Sequence, residues 1–365
     1  MVLSDVPWRR QPEQLRDRVA AWLAWIQPDR GAPQVEVRAP VGSGMSSETL
    51  LLDVAWPGTG EAHARYVVRL APDPAHWPVF PTYDLDLQRR CMTLVGQLTD
   101  VPVPAPLWYE TDGEWLGAPF LVMTRLDGVA PADVPPYVAS GWLLDASPAQ
   151  RAEVQEHAVR ILASLHAITP ERADLGFLAR PEHGATPLEQ HLGAQRAYYD
   201  WARGATRYPL IERAFAWLDD HRPVPGPTVL NWGDARIGNI LFQDLQPTAV
   251  LDWEMACTGP AEVDVAWMIW LHRFFEDLGQ RFGLPGLPGF MQRADVLAAY
   301  RTDSGRSPAD IEWYEVFAAL RHAIITIRTA SRSIAFGQSP MPDDPDDLLM
   351  FGHLLGRMLD GTYWE

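Results

Sequence analysis

Between Asn231 and Ala256 the chain reads NWGDARIGNILFQDLQPTAVLDWEMA, a stretch that sets carboxylates, asparagines and an arginine around two short apolar runs. Ile240–Gln243 and Thr248–Leu251 have the composition of an antiparallel strand pair, with Asp244-Leu245-Gln246-Pro247 as the connecting loop. Pairing Gln243 with Thr248 in a regular register puts Asn239 opposite Asp252 at the open end of the hairpin. Asp234, a little before Asn239, lies in a loop that returns to the same end. An amide oxygen beside a carboxylate suits magnesium, which takes oxygen ligands and only one or two carboxylates, leaving other positions to substrate phosphates. Asp234 is then available to receive the proton of an attacking hydroxyl. An Asp, an Asn shortly after it, and a second Asp beyond a hairpin match the arrangement used for phosphoryl transfer. Taken singly, the same residues also suit turns and strand ends.

Such residues need elements on both sides of a cleft to position them. Up to about residue 125 the sequence predicts strands over Gln34–Arg38, Thr49–Val54, Tyr66–Leu70, Pro106–Tyr109 and Pro119–Arg125. One helix, Asp84–Leu98, falls between the third and fourth, with Leu85, Gln88, Cys91, Met92 and Val95 at helical spacing. Leu126-Asp127-Gly128 and the Pro-rich VAPADVPPY break the pattern, so the chain divides into residues 1–125 and 126–365. The second part is mainly helical. Ser147-Pro148-Ala149-Gln150 opens one helix, and further patterns run over Leu188–Ala202, Leu210–Asp219, Val263–Leu278, Arg293–Tyr300, Ile311–Ser331 and Asp346–Leu359. The expected fold is α+β: a small antiparallel sheet with one helix, then a larger helical half that contains the hairpin.

Composition narrows the function classes. A formal net charge of −17 over 365 residues argues against nucleic-acid or anionic-membrane binding, both of which need basic surface. No apolar run reaches the ~18 residues of a membrane span, and the charged N-terminus lacks a secretory pattern, so a cytoplasmic protein is expected. Cys91 and Cys257 are the only thiols and have no metal-ligand spacing. All 30 basic residues are Arg, so any task usually given to Lys falls to Arg here.

With these residues in place, the chain resembles the aminoglycoside phosphotransferase and choline kinase-like family, relatives of the protein kinases. NWGDARIGN resembles the family's catalytic loop, LDWE its metal-binding strand end, APFLVMTRLDG its lobe connection and ILASLHAI the helix that follows. The resemblance implies a protein kinase-like two-lobed fold, with ATP and magnesium in the cleft and a small-molecule hydroxyl as acceptor. It also implies Asp234 as catalytic base, Asn239 and Asp252 as metal ligands, and Asp264 as a brace for the catalytic loop. Arg69, in YVVRL, occupies the position of the usual ATP-binding Lys, and Gln88 that of the Glu which usually pairs with it, here as a neutral hydrogen-bond partner. Trp232 replaces the usual His of the loop and is expected to pack beneath it. Gly42, Ser43, Gly44 and Met45 form a turn suited to cradling phosphates. Met123 to Leu126, Arg125 included, form the hinge expected to read adenine.

Two rivals stand beside an ATP-dependent phosphotransferase: a nucleotide-binding protein that no longer transfers phosphate, suggested by Arg69 and Gln88, and an aminoglycoside O-phosphotransferase proper. A protein kinase is disfavoured, since DFG and APE segments are lacking. For the acceptor, Trp267, Trp270, His272, Phe274 and Phe275 suggest a partly apolar pocket. The chain also resembles the kinase domains fused to some acyl-CoA dehydrogenases, whose acceptors are hydroxyacyl thioesters. Both point to a lipid-like or acyl hydroxyl in preference to a kanamycin-type sugar.

Overall fold

Residues 10–40, 46–57 and 64–364 are described by the computed structural model. Strands β1 (Gln34–Arg38), β2 (Glu48–Ala55), β3 (Ala64–Leu70), β4 (Pro106–Glu110) and β5 (Phe120–Thr124) form one antiparallel sheet in the order β1-β2-β3-β5-β4. Strand alternation divides β5 between two cores, with Phe120 and Val122 in one and Leu121 and Met123 in the other. Helix α2 (Leu85–Leu98) shares the second core through Leu87, Cys91 and Val95, and the Asp84 carboxylate caps it by accepting from Leu87 N–H at 2.8 Å.

The first core is closed by a helix that the sequence reading did not anticipate. In α1 (Pro12–Ile26), Leu15, Val19, Trp22 and Leu23 are buried at helical spacing. Trp22 meets Phe120 and Trp108 edge-on at 5.0 and 5.8 Å, and its indole N–H donates to Glu110. Each such side chain contributes about 1.5–3 kcal/mol of burial free energy, before the entropy cost of ordering the chain. The sheet therefore carries a helix on each face. Its second core runs on into the helices that follow residue 125, so the hydrophobic division follows the sheet and not the linker.

After α3 (Trp142–Asp145), helices α4 (Pro148–Leu165), α5 (Pro187–Arg203), α6 (Pro209–Asp220), α7 (Glu262–Arg281), α8 (Arg293–Ser304), α9 (Ile311–Ala335) and α10 (Gly352–Leu359) build the larger part. Capping boxes start α4 at Ser147 and Gln150 and α5 at Thr186 and Glu189. Helix α10 starts later than the sequence pattern suggested, because Pro345–Leu348 forms a separate 3₁₀ turn. Between α6 and α7, strand β6 (Thr228–Asn231) pairs with β9 (Cys257–Pro260), which holds the two ends of the Asn231–Ala256 stretch together.

The hairpin of β7 (Ile240–Gln243) and β8 (Gln246–Val250) departs from the expected register. Gln243 pairs with Gln246 across a two-residue turn, with Asp244 and Leu245 both at positive φ, while Thr248 bulges between Phe242↔Pro247 and Leu241↔Ala249. The Thr248 hydroxyl donates to Leu241 O at 3.2 Å and to Asp127 O, which accounts for the bulge. As a result Ile240 pairs with Val250 and the Asn239 carbonyl accepts from Leu251 N–H at 2.9 Å. Asp252 is one residue beyond the position opposite Asn239, and it turns out of the strand with φ 61°. That left-handed backbone costs a non-glycine residue on the order of 1 kcal/mol, a cost often found where a side chain is aimed at a site.

Candidate active site

The loop between β6 and β7 is shaped by its buried surroundings. Gly233 has φ 88°, and a Cβ there would lie 1.9 Å from Met255 O, so no other residue fits. Asp264, fully buried in the first turn of α7, accepts from Trp232 N–H at 2.6 Å and Gly233 N–H at 2.9 Å. It also contacts His166 Nε2 at 3.2 Å, and His166 Nδ1 lies 2.8 Å from the Tyr300 hydroxyl. The expected brace is thus present as geometry: one helix-terminal carboxylate binds two successive loop amides. Trp232 is fully buried and donates to Leu251 O at 2.8 Å, packing beneath the loop as its ring suggested.

This support orients Asp234. Its Oδ1 accepts from Trp267 Nε1 at 2.8 Å, and its Oδ2 accepts from Asn239 Nδ2 at 2.7 Å and Arg236 Nε at 3.2 Å. Arg236 also grips both oxygens of Asp133 at 2.7 Å, tying the loop to the Pro-rich linker. Burial opposes the charge on Arg236, but Asp234 and Asp133 raise its pKa further above the ordinary arginine value. With its N–H₂ engaged by Asp234, Asn239 keeps its amide oxygen as the hard donor it has left.

Across the cleft, Arg69 on β3 donates from Nη1 to Asp252 at 3.1 Å and from Nη2 to Glu254 at 3.2 Å. Burial alone would lower the Arg69 pKa, yet the two carboxylates carry it above its ordinary value. Glu254 also accepts from Ser46 and Ser47. Burial, with Asp252 beside it, pushes the Glu254 carboxyl up to about 7. Sequence reasoning passed over Glu254, although it stands in the same LDWE stretch as Asp252.

Other sequence-derived positions fall differently. Gln88 does not reach Arg69: it is buried in α2, and its Nε2 has no hydrogen-bond partner among the described residues. Arg69 takes the two acidic residues instead, because a guanidinium is long enough to span the cleft and charge outweighs a neutral amide. Met123 sits in the larger core, while the Arg125 guanidinium is held by both Asp53 oxygens at 3.2 Å. Gly42, Ser43, Gly44 and Met45 lie outside the described residues.

The aromatic run of α7 is core. Trp270 is fully buried, His272 Nδ1 lies 2.9 Å from the Tyr137 hydroxyl, and Phe274 packs against His322 and Phe351 at 4.7 and 5.5 Å. Of that group, Trp267 reaches the site, through Asp234. Open space close to Glu254 lies elsewhere, in a groove of about 440 Å³ between α5 and α9, bounded by Phe80, Tyr198, Trp201, Glu254, Cys257 and Arg321. Its volume is in the range of small-molecule sites.

Comparison with known proteins agrees with this architecture. The chain is 25% identical over 311 residues to the probable acyl-CoA dehydrogenase IBR3 of Arabidopsis thaliana, covering 80% of this chain and 36% of that protein. It is 29% identical over 246 residues to acyl-CoA dehydrogenase family member 11 of Gallus gallus, covering 66% and 28%. It thus spans about a third of the length of these relatives. A solved protein of Ralstonia eutropha JMP134, described as a candidate aminoglycoside phosphotransferase, superposes with TM-score 0.63 at 21% identity over 95% of this chain and 97% of its own. Macrolide 2'-phosphotransferase MphH of Brachybacterium faecium gives TM-score 0.55 at 18% identity, over 90% and 98%. A variant of aminoglycoside phosphotransferase APH(4)-Ia, solved with ADP and hygromycin B, gives 0.56 at 16%, over 93% and 98%. These likenesses establish the kinase-like α+β fold. The profile of the phosphotransferase enzyme family matches residues 37–301, and the chain belongs to that family.

Proposed function

We propose that the chain transfers the γ-phosphoryl group of ATP to a hydroxyl of a lipid-like or acyl small molecule. In this reading residues 1–125 form the nucleotide-binding lobe and residues 126–365 the catalytic and acceptor-binding lobe. Gly42, Ser43 and Gly44 cradle phosphates through their amides, Arg69 grips them, and the segment of Met123 and Arg125 borders adenine. Asp234 is the general base, held by Trp267, Asn239 and Arg236 so that it meets the acceptor hydroxyl. The donor set around Asn239 and Asp252 consists of hard oxygens, which suits magnesium, and Glu254 adds a further carboxylate beside them. Magnesium bound there would neutralise charge on the phosphates being transferred.

One observation carries the reading: Arg69, from the sheet, is ion-paired to Asp252, which follows the residue hydrogen-bonded to Asn239. The phosphate grip and the metal carboxylate therefore neutralise each other across the cleft, and nucleotide with magnesium would exchange for that pair. The acceptor enters the groove beside Glu254, whose aromatic walls are Phe80, Tyr198 and Trp201. The test is acceptor-dependent ADP formation across a panel of hydroxy compounds, with and without magnesium. Turnover that needs both magnesium and one acceptor class supports the proposal. Nucleotide binding with no acceptor-dependent ADP formation would favour the binding-only rival, and a preference for kanamycin-type sugars would favour an aminoglycoside phosphotransferase.

A further inference from the structure

The groove between α5 and α9 carries a charge problem that the nucleotide site does not explain. Arg321, on α9, is buried at 3% exposure and forms part of the groove wall. Its Nη2 donates to Gly233 O at 2.8 Å, and its guanidinium lies over the Trp267 ring at 4.4 Å. Its Nη1 has no hydrogen-bond partner, and no carboxylate is ion-paired with it among the described residues. This is unexpected in a chain with 47 carboxylates and 30 arginines, where a partner is easily supplied. A buried, unpaired guanidinium is costly to the folded state. Burial lowers the Arg321 pKa from the ordinary arginine value.

Two turns along α9, Arg328 is also buried, sandwiched against Trp201 at 4.1 Å and Trp77 at 5.0 Å. It donates to Pro78 O at 2.7 Å and has no carboxylate partner among the described residues. The acidic residues that border the groove are already engaged. Glu254 holds Arg69, Ser46 and Ser47, Asp84 caps α2, and Glu182 lies at the exposed rim near His183. The groove therefore combines aromatic walls with one buried guanidinium nitrogen, Arg321 Nη1, that lacks an acceptor.

Resting on the phosphotransferase reading above, we infer that the acceptor carries an anionic group, carboxylate or phosphate, which Arg321 binds through Nη1 while the acceptor hydroxyl faces Asp234. The stacked position over Trp267, which donates to Asp234, sets the distance between the anion and the reacting hydroxyl. An acceptor with a positive charge would meet the buried Arg321 there and be disfavoured. The expected preference is opposite to that of a polycationic sugar.

The test uses the full chain with its nucleotide site filled by a non-hydrolysable ATP analogue and magnesium. Three probes of matched length are titrated by tryptophan fluorescence: 3-hydroxyhexanoate, its neutral methyl ester, and the corresponding amino alcohol. A charge-assisted bond should favour the acid over the ester by about 10- to 100-fold. In Arg321→Gln and Arg321→Met that preference should collapse, while affinity for the nucleotide analogue stays unchanged. A purely structural Arg321 would alter all three probes alike. Equal or tighter binding of the ester or amine, no saturable binding of the acid, or a preference that survives in both folded variants overturns the inference. If neither variant folds, the comparison of probes on the unaltered chain decides alone. Loss of nucleotide-analogue binding in the unaltered chain would instead count against the phosphotransferase reading.

Discussion

Arg69 reaches Asp252 and Glu254 while Arg321 reaches the Gly233 carbonyl, and the molecule treats their charges in opposite ways. Arg69 is paired with two carboxylates that belong to the proposed metal site, so its charge is balanced before any ligand arrives. Arg321 rests on an indole ring and a carbonyl, with one nitrogen unsatisfied. In the first region the fold supplies the counter-charge and a ligand must displace it. In the second the ligand supplies it. A cleft built on exchange can release product readily, whereas a groove with an unmatched charge selects what enters.

The largest expected effect breaks the chemistry while leaving both arginines in place. Asp234→Ala should lower turnover by about 10²- to 10⁴-fold, the usual contribution of a general base, with nucleotide affinity unchanged. Steady-state kinetics beside a fluorescent-nucleotide titration measure both. Joint loss of the two would mean that Asp234 is structural.

Next, Arg69→Ala should weaken ATP by about 10- to 100-fold and adenosine hardly at all, because only ATP carries the phosphates being gripped. An equal loss for both ligands would show that the Arg69 pairs merely join the sheet to the hairpin.

A smaller effect sharpens the comparison through pH. Glu254, held up to about 7, binds its proton more tightly in the folded chain than in the unfolded one. Its contribution to stability is therefore full below about 4.5, the ordinary glutamate range, and is lost as pH rises towards 7. Urea unfolding at several pH values should show a decline on the order of 1–3 kcal/mol across that window, and Glu254→Gln should flatten it. An identical slope in the variant would assign the decline to other groups.

Much of this was legible in the sequence, and the parts that were not have physical reasons. Strand and helix patterns located β1 to β5 and α2 within a residue or two, because each alternates or repeats on its own. Helix α1 escaped notice: Leu15, Val19, Trp22 and Leu23 are interleaved with charges, and the sheet face they cover is assembled from strands far along the chain. The hairpin register was missed because Leu245 adopts a left-handed backbone, which its residue type does not signal, and because the bulge depends on Thr248 reaching Asp127. Strand β9 contains Gly and Pro and pairs with a strand over twenty residues earlier, so no local pattern marked it. The aromatic run of α7 read as a pocket because composition cannot distinguish a lined cavity from a helix buried on nearly every side. The position of Gln88 fixed its helix face but not its reach. Arg321 carried no signal, since only the fold brings α9 against the Gly233 carbonyl.

The most direct measurement follows a label on the γ-phosphate of ATP through a single turnover with the best acceptor of the panel. The account predicts that the label passes to the acceptor as an organic phosphate, and that Asp234→Ala binds the same nucleotide without transferring it. Label recovered only as inorganic phosphate, or transferred at the same rate by the variant, would contradict it.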